Sequence, residues 1–243
     1  MRTIQPRSRV PLEQKRDHVG VNDGIVLSSN PCLGTGDGPS ELAWAERATN
    51  HAPAFYANTA NPGPAYSSHW PAGQTAPRVC DASAQNSTDC SYDYGWNAAK
   101  DSFADAVIAE QQVHGSTLAG ATSAAAQAPW WLDVETGNSW ETLEGAYGQT
   151  ATAQANDVAA LDGAVAALQS VGVAQVGFYS TASQWTQITG GTGTHFAANP
   201  DWLAGFSSVR TAQSGCSGAA FTGGTVVLTQ YHANGLDADY SCR

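Results

Sequence analysis

The stretch Pro129-Trp130-Trp131-Leu132-Asp133-Val134-Glu135, followed by Thr136-Gly137-Asn138-Ser139-Trp140, decides how this chain is read. A short apolar run ending in two carboxylates and a Gly/Asn/Ser turn predicts a buried strand that reaches a surface. Side chains alternate along a strand, so Trp131, Asp133 and Glu135 share one face, and Trp130, Leu132 and Val134 share the other. Acids at the end of a buried strand are costly unless they are paired, catalytic or solvated at the loop edge. In a (β/α) barrel the carboxyl ends of the strands are where the chemistry sits.

Working outward, the pattern is strand and helix in alternation. His18–Gly24 and Ala54–Thr59 read as strands before the central one, and Glu41–Arg47 as a short helix capped by Ser40. A long loop runs from Asn61-Pro62-Gly63-Pro64 to about residue 92, and such loops in compact domains are usually functional. A helix is expected over Asn97–Val113, then an Ala/Ser/Gly linker. A second helix opens at Asp157, with Val158, Leu161, Val165, Leu168 and Val171 spaced by three and four, and Gly172 at its stop. Strands follow at Gln175–Ser180, Asp201–Phe206, Val226–Tyr231 and from Leu236 to Tyr240, with little helix among the last three. Seven strands in this order predict an α/β fold with a mostly parallel sheet, of a length that suits closure into a barrel.

The chain has 243 residues, 42% hydrophobic and 13% charged, which is a globular composition. Its net charge is −11 and it holds only two lysines, so no basic stripe exists to neutralise phosphates. Nucleic acid and anionic membrane are therefore not the expected partners, whereas a neutral glycan is compatible. No stretch is long enough to span a membrane. Five of the ten basic residues fall within the first sixteen positions, setting residues 1–17 apart as an atypical tail.

Five cysteines lie in loop-like contexts without a metal-binding spacing. Cys80 and Cys90 flank a polar segment that reads as a disulfide-closed loop. Cys216 and Cys242 are placed to staple the C-terminal strands, which leaves Cys32 without a mate. Disulfides imply an oxidising, extracellular setting. His18, His69, His195 and His232 show no metal spacing, and no phosphate loop, nucleophile elbow or dinucleotide fingerprint is present, so neither metal nor cofactor is expected.

In order, DVE on a strand, FYST, NPDWLAGF, LTQY and LDAD resemble the successive motifs of glycoside hydrolase family 25, the lysozyme-like muramidases. The similarity runs from about His18 to Cys242. It is nearer to secreted proteins of high-GC bacteria with a family-25-like domain, where VGVN, NPCL, LAWA, NTANPGP and YDYGWNAA recur. The resemblance implies a single (β/α)₅β₃ barrel of the TIM type over residues 18–243, acting as a monomer on a β-1,4-linked, N-acetylated glycan of the peptidoglycan type. Carried over, Glu135 matches the general acid, and Asp133 the companion acid that assists the acetamido group or the developing charge. Asp237 matches the acid of the final strand, and Tyr231 the aromatic of the Gln-Tyr motif. Tyr56, Asn58, Tyr179, Trp202 and Gln230, at or near strand ends, are the further candidates for sugar contact.

Two departures accompany the match. The relatives' first strand reads approximately YDVSxPQC and carries an acid and a cysteine; the atypical tail stands in its place, so a missing or replaced first strand is expected. That cysteine is the mate the resemblance implies for Cys32. Thr229 occupies the position of the usual Trp before Gln-Tyr. An incomplete acid set would leave a glycan-binding barrel without turnover, which is the alternative reading.

Overall fold

Parallel neighbouring strands need a crossover between them, and in this chain helices supply it. The structure, a computed structural model, describes residues 42–43, 54–233 and 236–242. The elements are β1 (Phe55–Asn58), α1 (Thr88–His114), α2 (Leu118–Gln127), β2 (Trp130–Asp133), a 3₁₀ turn (Glu141–Leu143), α3 (Ala151–Ser170), β3 (Val176–Ser180), α4 (Ala182–Thr189), β4 (Asp201–Phe206), α5 (Val209–Gly215), β5 (Val226–Ala233) and β6 (Leu236–Ser241). Strands β1 to β5 are parallel and pair in chain order, and β6 returns antiparallel to β5. The result is an α/β fold whose mixed sheet curls into a half-barrel. The strand expected at His18–Gly24, the 1–17 tail, Cys32 and most of the Glu41–Arg47 helix lie outside the described residues.

Alternation along the strands sorts two cores. Phe55, Ala57, Trp130, Leu132, Val134, Val176 and Phe178 pack outward against Phe103, Val107, Leu161 and Leu168 of the helices. Trp131, Tyr179, Trp202, Val227 and Leu228 form a separate cluster. The face assignment of the 129–135 stretch therefore holds for Trp130, Leu132 and Val134 against Trp131.

Helix boundaries depart from the sequence expectation for local reasons. α1 begins at Thr88 rather than Asn97, because the Ser87 side chain caps it by accepting from the Cys90 N–H, and Cys90 and Tyr94 are buried. The expected linker is helix α2: its alanines favour helix intrinsically, and Thr117 caps it, but only Ala121 and Ala125 are buried. With so little apolar bulk it shows no periodic stripe in sequence. α3 opens at Ala151 under a Thr150 cap, which places Asp157 in mid-helix and buried. α5 stands between β4 and β5 where little helix was expected; a Ser208–Thr211 capping box starts it.

Two glycines set the approach of α1 to α3. A Cβ on Gly95 would lie 1.9 Å from the Ala160 carbonyl oxygen, and one on Gly163 would lie 2.0 Å from that of Tyr92. Both expected disulfides are formed, Cys80–Cys90 and Cys216–Cys242. Among the described residues no helix is long and apolar enough to cross a membrane.

Candidate active site on the concave face

Strand register stacks the concave face in layers. Tyr56, Trp131 and Gly177 are aligned across β1, β2 and β3. Two residues further on, Asn58, Asp133, Tyr179 and Trp202 are aligned across β1 to β4. Gly177 is small because the Trp131 ring lies across β3: a Cβ there would be 2.4 Å from the ring and 2.7 Å from the Pro200 carbonyl oxygen. Above it, Trp202 receives ring edges from Trp131 (5.6 Å between centroids), Tyr56 (5.9 Å) and Tyr179 (4.9 Å). These rings fill the floor of the concave face. Trp131, Tyr179 and Trp202 are each at most 5% exposed, whereas Tyr56, Asn58 and Glu135 remain half-buried.

The turn after β2 is clamped from several sides. Thr59 donates both its N–H and its hydroxyl to the Asp133 carbonyl, and Asn138 adds its side-chain amide. The Glu135 carbonyl accepts from the Asn138 N–H at 3.1 Å and from Trp140 Nε1 at 3.0 Å. Gln184 Oε1, on α4, accepts from both the N–H and hydroxyl of Thr136. The backbone carrying Glu135 is thus held on both flanks of that residue.

Asp133 is 1% exposed, and its carboxylate lies close enough to the Tyr56 phenol to act on it electrostatically. Burial, then the Asp133 carboxylate, then Tyr179 and Glu135 push the Tyr56 phenol well above its ordinary range. The Tyr179 hydroxyl donates to Gln230 Oε1 at 2.9 Å, which fixes that amide on the same face.

The last hairpin supplies a carboxylate that the sequence reading passed over. Asp239, 3% exposed, pairs in register with Gln230 and accepts from Trp202 Nε1 at 3.0 Å. Asp237 lies two residues nearer the hairpin end, in register with His232, whose Nδ1 is 3.4 Å from its carboxylate. Both acids share one face of β6, so alternation from Asp237 was the available signal. Tyr231 falls on the opposite face from Gln230, alongside Thr229, whose hydroxyl donates to the Ala212 carbonyl of α5.

A second polar cluster lies behind the sheet, past the ends of β1 and β2. Asp157 accepts from Asn61 Nδ2, the N–H groups of Glu141 and Thr142, and the Thr142 hydroxyl, at 2.8–3.2 Å. Glu141, wholly buried, accepts from Asn156 at 2.9 Å, and the Asn86 amide covers the pair from the 80–90 loop. Burial raises the carboxyls of Glu141 and Asp157 each to about 7. With its donors, Asp157 is the better placed of the two to hold the charge. On the outer face, burial likewise lifts Asp201 to about 6 against its bonds to Thr222. Nothing in the sequence marked Glu141 or Asp157 as buried.

Among the described residues no group of three or more His, Cys, Asp or Glu is arranged to hold a metal ion. No protein-family model, curated protein or solved structure matches the chain.

Proposed function

We propose that the chain is a glycoside hydrolase acting on a β-1,4-linked, N-acetylated cell-wall glycan, in a (β/α)₅β₃-type barrel secreted as a monomer. One observation carries the reading: Asp133, buried beside the Tyr56 phenol, sits two residues before the half-buried Glu135 at the carboxyl end of parallel strands. Alternate residues of an extended backbone are roughly 6.5 Å apart, a spacing within the range of the paired carboxyls that flank a scissile glycosidic bond. Glu135, at the rim, donates a proton to the glycosidic oxygen as the C–O bond breaks, and the leaving sugar departs as an alcohol. Positive charge at the anomeric carbon is met by Asp133, directly or through an acetamido group that it orients. Water then adds to the anomeric carbon and its proton returns to Glu135. Tyr56 and Asn58 are positioned to contact the sugar, while Tyr179, Trp202 and Asp239 shape the floor beneath it. The two disulfides support an oxidising compartment. The experiment is to incubate the purified chain with insoluble peptidoglycan and count new reducing ends.

A second reading, a glycan-binding barrel without turnover, is favoured by the engagement of the remaining acids. Asp239 is taken up by the Trp202 indole and Asp237 pairs with His232. Sedimentation of the chain with the polymer, with no new reducing ends, decides for it.

A further inference from the structure

The 62–87 loop is pinned far more heavily than a passive connection requires. Cys80 is bonded to Cys90 of α1, and Trp70 Nε1 donates to the Gln85 carbonyl at 3.1 Å. The Arg78 N–H donates to Asp93 Oδ1, and the Arg78 guanidinium lies 3.9 Å from the Tyr92 ring centroid. Between this loop and the outer side of α1 is an open groove of about 450 Å³, lined in part by Trp70, Gln74, Tyr94, Asn97, Lys100 and Asp101. Tyr94 stacks on Trp70 at 5.1 Å between centroids and 28° between planes, which sets the orientation of the indole in the groove wall.

Beside the indole is a paired amide. Asn97 Nδ2 donates to Gln74 Oε1 at 2.8 Å, and Gln74 Nε2 donates to the Ala76 carbonyl and to Asn97 Oδ1. One Asn97 N–H and a lone pair on each amide oxygen are left to face a ligand. An apolar ligand would strand those groups, at a cost. An anion would meet Asp101 beside Lys100, in a chain of net charge −11. A polyhydroxylated ring, apolar on its faces and hydroxylated at its rim, fits both the indole and the amides.

We infer that this groove is a second, non-catalytic sugar-binding site, in which a pyranose ring lies against Trp70 and its hydroxyls bond to Asn97 and Gln74. It shares its ligand class with the proposed function but stands on separate residues, and it holds whether or not the concave face turns substrate over. Its role would be to hold a polymer on the flank of the barrel while another segment occupies the concave face.

The test is a ¹⁵N–¹H titration of the full chain carrying Glu135→Gln with a tetrasaccharide of β-1,4-linked N-acetylglucosamine. The expected result is saturable movement of the Asn97 and Gln74 side-chain amides and the Trp70 indole. Trp70→Ala, and separately Asn97→Ala, should each raise the groove Kd roughly tenfold, leaving shifts around Tyr56 unchanged. Groove signals that stay still at millimolar tetrasaccharide, or that move equally with inorganic phosphate, overturn the inference. Groove binding in a chain that releases no reducing ends keeps it and removes the hydrolase reading instead.

Discussion

The indole Nε1 of Trp202 donates to Asp239 Oδ1 at 3.0 Å, tying the floor of the concave face to the last strand. Both partners are buried, so the bond is made away from competing water. Asp237, on the same face of β6, meets the exposed ring of His232. Two acids in one short motif therefore carry different burdens.

Asp239→Ala should cost about 1–3 kcal/mol, because it leaves a buried indole N–H without its acceptor. Asp237→Ala should stay within about 0.5 kcal/mol, as expected for a rim group whose partner is exposed. Urea unfolding of the two variants checks this; equal losses would show that the Trp202 bond has no special weight.

The helix crossing yields a prediction whose sign is diagnostic. Helix propensity alone says that Gly95→Ala or Gly163→Ala gains up to about 1 kcal/mol. The added methyl would meet backbone oxygen at 1.9 and 2.0 Å, which no rotamer change relieves. Each substitution should instead destabilise by about 1–3 kcal/mol or more, as overpacking does. Thermal unfolding of each variant reads the sign, and a raised Tm would contradict the close approach.

Stability should fall as pH rises from the ordinary carboxylate range, about 4, through about 7. Glu141 and Asp157 are each lifted to about 7 and Asp201 to about 6, all chiefly by burial. A carboxyl with a raised folded pKa binds more protons folded than unfolded within that window. Its contribution is complete below the unfolded pKa and is lost on passing the folded one. Denaturant midpoints at pH 5 and pH 8 should thus favour pH 5, and Glu141→Gln should flatten the difference. An unchanged profile in that variant would mean that Glu141 does not hold the proton.

Much of this fold was legible because strands buried on both faces, such as β2 and β3, read as short continuous apolar runs bounded by turn residues. Asp201–Phe206 has the bounds read from sequence, and β3 and β5 begin or end within a few residues of theirs. α2 was hidden because alanine supplies propensity without bulk, and the first turns of α1 because NSTDCSYDY is polar on a helix whose buried side includes Ser91 and Asp93. The aromatic residues at strand ends were visible as candidates. Their division of labour was not: Trp202 and Tyr179 are buried while Tyr56, one layer deeper in register, is half-buried, and only side-chain packing across β1 to β4 separates them. Burial of Glu141 and Asp157 depends on the long-range approach of Asn61 and Asn156, which no local spacing encodes.

The central claim is that Glu135 delivers the proton that breaks a glycosidic bond. The most direct measurement is the rate of reducing-end release from peptidoglycan by the wild-type chain and by Glu135→Gln, the two matched for folding by circular dichroism. The account predicts steady release by the wild type and a loss of at least about a hundredfold in the variant, the usual weight of a general acid. Release that continues at the wild-type rate in Glu135→Gln would contradict it.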